Sequence, residues 1–191
     1  ILASDVRGVG FSGQMHGLVV LDSEKNVIIP AILHCDTRAG EEKSVVSREE
    51  LIQWGILNPA FSGFQMTSLL WLKKHRPKKF QRIRHVLSPK DYVRYRLTGE
   101  LGTEWTDASA TLLFDVEHRC WSAPMLERIG LDPAVLSPVS GPCDLCGTVT
   151  SVAAQETGLA KESQVPFDGE TQHMQALGSG VLVPGERTCR V

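Results

Sequence analysis

The stretch Gly10-Phe11-Ser12-Gly13-Gln14-Met15-His16-Gly17 runs directly into Leu18-Val19-Val20-Leu21 and Asp22, so hydrogen-bonding side chains held between glycines meet an apolar strand. Glycines let a backbone turn sharply and approach a ligand. Four apolar residues bounded by polar turns read as a buried strand. This pattern sets a polar loop at the lip of a sheet. Gln offers a donor and an acceptor, His can act as either, and Met supplies an adaptable apolar surface. Together they suit a polyhydroxylated ligand, and equally a structural turn with a packed Met and a surface His.

The flanking residues extend the sheet. Residues 6–10 read as a short strand, and residues 27–33 as another, interrupted by Pro30. The polar turn Asp22-Ser23-Glu24-Lys25-Asn26 joins the last of these to residues 18–21 as an antiparallel hairpin. Helices are predicted over residues 49–54, 67–75, 122–129 and 151–157, the last two closed by Gly130 and Gly158. Ser88-Pro89-Lys90-Asp91 is a helix start, with Ser88 as cap and Pro89 at the first helical position, and Gly99 ends that helix. Thr106-Asp107-Ala108-Ser109 opens a shorter element. Residues 131–147, rich in Pro, Gly and Ser, read as a surface excursion, and the tail returns to glycine-rich loop and apolar strand. Strands alternating with helices make the class α/β.

Composition narrows the function classes. A net charge of -2 provides no general attraction for nucleic acid or an anionic membrane, and no apolar run reaches a bilayer span. The basic run Lys73-Lys74-His75-Arg76 with Lys78 and Lys79 reads as a solvated helix end, since no aromatic interleaving accompanies it. Five cysteines scattered through 191 residues do not form a secreted disulfide framework, which favours a reducing cytoplasm. Cys143-Asp144-Leu145-Cys146 lacks the second pair that a structural zinc site requires.

Gly8-Val9-Gly10-Phe11-Ser12-Gly13 matches the dinucleotide fingerprint, with Asp36 at a suitable distance for a ribose. That fingerprint needs a helix to start at its third glycine, and a loop leading into a strand is expected instead. Further candidates are Asp36 with Arg38 after a strand end, and Trp105 beside Thr106 and Asp107. Asp168 and Glu170 follow in the glycine-containing loop Phe167-Asp168-Gly169-Glu170-Thr171-Gln172. Carboxylates on such a loop are plausible general bases for a sugar hydroxyl. An exposed ion pair, a packed core aromatic and a solvated acidic turn are the structural alternatives for these groups.

Taken in order, the residues quoted above resemble the FGGY family of carbohydrate kinases, and its xylulokinase-like members most. The resemblance is carried by Gly10 to Gly17, Pro30-Ala31-Ile32-Leu33 through Asp36-Thr37-Arg38, and Leu70-Trp71-Leu72-Lys73-Lys74-His75. It continues through Leu87-Ser88-Pro89-Lys90-Asp91-Tyr92-Val93-Arg94-Tyr95-Arg96-Leu97-Thr98-Gly99-Glu100 and Thr106-Asp107-Ala108-Ser109 to Leu113-Phe114-Asp115-Val116. It implies a ribonuclease-H-like, actin-like ATPase fold with a mixed sheet and flanking helices. Residues 1–191 would be most of an N-terminal sugar-binding lobe, with the N-terminal phosphate loop and the C-terminal ATP-binding lobe absent.

The implied reaction is transfer of the γ-phosphoryl group of Mg-ATP to a hydroxyl of a small sugar, most simply D-xylulose, in the cytoplasm. The resemblance admits a homodimer. Gln14, Met15 and His16 would line the sugar pocket, Asp36 and Arg38 would lie near it, and Trp105 would face the substrate. The family's catalytic aspartate in Gly-Gly-Asp is replaced. Aligning Thr171-Gln172 puts Glu170 at the base position, counting back from Gly178 puts Thr171 there with His173 as an extra residue, and Asp168 serves only if the loop shifts. His34 stands where relatives carry tryptophan, and Ser68 where they carry lysine. Two expectations result: the isolated chain has no kinase turnover, and the alternative to a kinase is a sugar-binding or regulatory relative with impaired catalysis.

Overall fold

The computed structural model describes residues 2–180. The apolar strand expected after Gly180, and Cys189, lie outside the described residues. In chain order the elements are β1 (Val19–Leu21), α1 (Arg48–Gln53), α2 (Gln65–His75), α3 (Pro77–Phe80), β2 (His85–Leu87), α4 (Pro89–Thr98), β3 (Thr103–Glu104) and α5 (Trp105–Ser109). They continue with β4 (Phe114–Asp115), β5 (Cys120–Trp121), α6 (Ala123–Ile129), β6 (Val139–Ser140), β7 (Leu145–Thr148), α7 (Ser151–Thr157), β8 (Gln164–Pro166) and α8 (Thr171–Gly178).

The apolar run after Gly17 is continuous because β1 is buried on both sides. Side chains alternate between the faces of a strand. Leu18 and Val20 join the main core with Ile32, Met66, Leu69, Leu72 and Val86, while Val19 and Leu21 pack with Leu87 against Tyr92, Tyr95 and Leu101. Each such side chain contributes roughly 1.5–3 kcal/mol on burial. The β1 edge pairs antiparallel with β2, Val19 opposite Leu87. β3 and β6 are parallel, and β4–β5 and β7–β8 antiparallel, so among the described residues both kinds of pairing occur, in four two-stranded sheets rather than in one mixed sheet.

Several expected elements take a different form. Residues 27–33 complete the hairpin only through bridges from Val27 to Leu21 and from Ile32 to Leu18, because Pro30 offers no N–H between them. Residues 6–10 touch β8 at one bridge, Gly8 to Gln164. Pro166 cannot donate beyond it, and the Phe11 N–H goes instead to the Asp168 carboxylate. The excursion over 131–147 is corrected: it holds β6 and the start of β7 and returns a parallel bridge from Leu136 to Val86. The expected glycine-rich loop after residue 170 is the helix α8, started by its own cap at Glu170. No helix opens at Gly13.

α4 follows the rule its sequence announced. The Ser88 hydroxyl accepts the Asp91 N–H, Pro89 occupies the first turn, and Gly99 closes the helix at φ 78°. Besides the apolar Leu97, the helix buries charged side chains. The Lys90 ammonium lies 3.1 Å from Glu104 and 3.2 Å from Asp107, and donates to the carbonyls of Phe167 and Asp168, 3.1 Å each. Arg94 pairs with Asp91 at 2.8 Å, donates to the carbonyls of Phe167 and Gly102, and lies over the Phe167 ring. All five charged groups are buried.

Three carboxylates against two cations leave an excess negative charge. Loss of solvation, followed by the charge of Asp91, pushes the Asp107 carboxyl up to about 7. Removing the central cation would strand carboxylates out of water. Lys90→Met should therefore lose about 3–5 kcal/mol of unfolding free energy in a urea titration. Lys78→Met, at an exposed lysine, should stay within about 0.5 kcal/mol. Equal behaviour of the two variants would contradict this account of the buried cluster.

Candidate functional site

A cleft of about 620 Å³ opens where five segments converge. Its walls come from the loop before β1 (Met15, His16), the turn after the hairpin (His34, Cys35, Thr37), the approach to α2 (Asn58, Phe61, Gly63, Phe64), α5 and its end (Thr106, Ser109, Ala110), and the start of α8 (Glu170, Gln172, His173). A shallower depression of about 340 Å³ is lined by Gln14, Met15, His16, His34, Thr171 and Gln172. Met15, His16, His34 and Gln172 are common to both, so the two form one continuous polar surface.

His16 has a left-handed backbone, φ 71°, an uncommon conformation that turns the loop into β1. Its Nδ1 is 2.7 Å from the Ala110 carbonyl, and its ring stacks on Phe64 at 3.9 Å. A carbonyl only accepts, so Nδ1 carries the proton and Nε2 keeps a lone pair. Burial lowers the His16 pKa; the Ala110 hydrogen bond and the Glu170 charge oppose the shift, and His34 adds to it. The Gln14 amide oxygen is tied to His34 Nδ1. Gly63 is required beneath this pair, because a Cβ there would stand 1.9 Å from the His34 carbonyl oxygen.

Glu170 is 2% exposed and caps α8. One oxygen accepts the Gln172 N–H at 3.0 Å, the other the His173 N–H at 3.0 Å and the His173 ring nitrogen Nδ1. Its own N–H donates to the Thr106 hydroxyl at 2.8 Å. The Thr171 hydroxyl donates to the Gly13 carbonyl, which ties the start of α8 to the loop before β1.

The structure thus brings Gln14, Met15, His16 and Glu170 to one surface. Asp168 stands apart: at φ 56° its carboxylate turns to the Phe11 N–H and faces Gly10, and it lines neither depression. Asp36 is committed to Arg38, whose guanidinium reaches it at 2.7 Å and lies 5.0 Å from the Trp71 ring centre. This bond, ahead of the remaining contacts, holds the Asp36 pKa down. Their neighbours Cys35 and Thr37 line the cleft instead. Trp105 is covered by Arg119 at 4.2 Å, and Thr106 beside it supplies the wall.

Sequence reasoning passed over Phe64 and Asn58, and it did not foresee that Lys90, Arg94, Glu104 and Asp107 form a buried charged cluster. The aromatic and glycine run Phe61-Ser62-Gly63-Phe64 ahead of a helix was the available signal for the first of these. For the charges it was the i, i+4 pair Lys90 and Arg94 on one helix face. Among the described residues, no group of three His, Cys, Asp or Glu could hold a metal ion. The four described cysteines are free, and no described helix is long and apolar enough to cross a membrane.

The family model described as "FGGY family of carbohydrate kinases, N-terminal domain" matches residues 1–178. The xylulose kinase of Bacillus subtilis is 34% identical over 195 residues, covering 100% of this chain and 39% of that protein. That of Staphylococcus xylosus is 37% identical over 182 residues, covering 93% and 38%. Among solved structures, a kinase from Brucella ovis titled "xyloylose kinase" superposes with a TM-score of 0.86 at 34% identity, covering 93% of this chain and 37% of that one. The xylulose kinase of Rhodospirillum rubrum gives 0.87 at 26% identity, covering 94% and 37%. The chain spans less than two fifths of the length of these relatives.

The lowered pKa of His16 has a stability consequence. Between that value and the ordinary 6.5, the unfolded state binds more protons than the folded one. The contribution is therefore complete above the ordinary value and is lost as pH falls from there through the lowered folded-state value. In thermal melts at about pH 8 and about pH 5, the advantage of wild type over His16→Gln should shrink at the lower pH. A constant difference would contradict the burial of a neutral imidazole.

Proposed function

We propose, on the premise that the chain belongs to the FGGY family of carbohydrate kinases, that the cleft between the His16 loop and the start of α8 binds the sugar of an ATP-dependent ketopentose kinase. The chain has the family's ribonuclease-H-like, actin-like ATPase fold in part, with mixed strand pairing and flanking helices. The single observation that carries the proposal is the meeting, in one cleft of about 620 Å³, of His16 and Met15 from the loop before β1 with a buried carboxylate at a helix start. Sites of this size, with a few fixed polar groups, suit small polar ligands.

In this reading Gln14, Met15 and His16 form one wall, and His16 Nε2 accepts from a sugar hydroxyl. His34, standing where relatives carry tryptophan, hydrogen-bonds where an aromatic would stack, and so tunes which sugar is held. Asp36 and Arg38 brace the turn that presents Cys35 and Thr37. Trp105 backs Thr106, and Asp168 fixes the loop by holding the Phe11 N–H. Glu170 occupies the place of the catalytic carboxylate opposite His16.

The phosphoryl donor is Mg-ATP, held by parts of the longer protein, and its bound magnesium ion supplies charge neutralisation at the transferring phosphoryl group. The residues described here supply positioning and the proton acceptor. D-xylulose is the proposed sugar and the cytoplasm the proposed location. The engagement of every Glu170 oxygen by α8 and His173 favours a second reading, a relative that binds sugar with impaired transfer.

A panel of pentoses, ketoses and polyols with ATP separates the two readings. The full-length protein should release ADP with D-xylulose at the highest kcat/KM, whereas sugar binding without ADP from any of them would establish the second. The purified 191-residue chain should give no sugar-dependent ADP, and steady turnover by it would contradict the assignment of ATP binding to other segments.

A further inference from the structure

The carboxylate and the imidazole at the start of α8 form a unit that the sequence pattern did not reveal. Glu170 is buried with its oxygens already engaged: one by the Gln172 N–H, the other by the His173 N–H and by His173 Nδ1. These three bonds leave Glu170 one acceptor position, on the oxygen that takes the Gln172 N–H, and the residue is only 2% exposed, so a substrate hydroxyl reaches it poorly. His173 is placed differently. Its side chain is 60% exposed, its ring lines the same cleft as His16, and its Nδ1 is fixed by the carboxylate. Since Glu170 accepts, Nδ1 holds a proton, and in the neutral ring Nε2 presents a lone pair; Nε2 has no hydrogen-bond partner among the described residues.

We propose that His173 is the proton acceptor of the transfer reaction and that Glu170 acts through it, orienting the ring and stabilising the imidazolium. This rests on the kinase reading above. The attacking sugar hydroxyl loses its proton to Nε2 of His173 while its oxygen forms a bond to the γ-phosphorus. The bond from that phosphorus to the bridging oxygen breaks, and the electron pair leaves with ADP. The proton on Nδ1 stays in the hydrogen bond to Glu170, and the proton on Nε2 passes to solvent, to which the ring is open. A carboxylate that fixes an imidazole tautomer and supports its charge is an effective partner for a histidine base.

The other cleft imidazoles lack this support. His34 has its Nδ1 on the neutral Gln14 amide oxygen. His16 has its Nδ1 bound to a neutral carbonyl, and its burial disfavours the charged form that a base must adopt.

The test uses the full-length protein with D-xylulose and ATP, following ADP release. His173→Gln and His173→Ala should lower kcat by a hundredfold or more, the lower bound of what positioned acid-base groups contribute, with the KM for sugar within about threefold of wild type. Added imidazole should restore part of the lost rate to His173→Ala, and should not restore it to Glu170→Gln. Because residue 173 is largely exposed, its variants should melt with wild type, and a melting point matching wild type is part of the expected result. Wild-type turnover with His173→Ala retaining kcat within threefold would overturn the proposal, as would a slowed His173→Ala that imidazole does not rescue. Absence of sugar-dependent ADP from wild type across the sugar panel would overturn the underlying kinase reading instead, and this assignment with it.

Discussion

The Lys90 ammonium is held out of water between two carboxylates and two backbone carbonyls, and this single buried cation joins three parts of the chain that lie far apart in sequence. It belongs to α4, its carboxylates to the β3–α5 junction, and its carbonyls to the segment leading into α8. Arg94, one turn further on, repeats the arrangement through Asp91, Gly102 and the same Phe167 carbonyl. A charged cluster of this kind costs heavily if incomplete, because every uncompensated member is desolvated. The segment over 167–170 is thereby fixed to the body of the fold before any ligand contact is considered.

That constraint explains why a short helix start can serve as one wall of a site. Glu104 accepts the N–H groups of Thr106 and Asp107 as well as the Lys90 proton, so α5 is anchored by the same carboxylate. Thr106 in turn accepts the Glu170 N–H. The path runs from a buried lysine through a helix cap to a cleft carboxylate without passing through a flexible link. On the opposite wall, His16 depends on Phe64 and Ala110, and Gly63 admits the turn carrying His34. Both walls rest on backbone geometry that side-chain packing enforces, including left-handed residues at His16 and Asp168.

Much of this was legible from residue order. The capped helix after Ser88, the buried strand after Gly17 and the polar loop before it follow from local chemistry. The sugar-kinase family was legible as a series of short motifs, none specific alone. What sequence could not supply was long-range commitment. Asp168 looked like a free loop carboxylate because nothing nearby shows that Phe11, far earlier, takes it. Asp36 looked like a contact because its partner Arg38 is close in sequence while the Trp71 surface that holds Arg38 is not. The stretch after Glu170 read as loop because glycines at 169 and 178 outweighed a helix of ordinary formers started by a carboxylate cap. Lys90 was visible as part of a motif, but its burial depends on groups up to 78 positions away.

The central claim is that the His16 loop and the start of α8 are two walls of one sugar site. Its most direct test is a crystal structure of the full-length protein with D-xylulose bound. The account predicts sugar oxygens within hydrogen-bond distance of His16 Nε2 on one side and of the Glu170–His173 pair on the other. A sugar seated elsewhere, with His16 and Glu170 both out of reach, would contradict it.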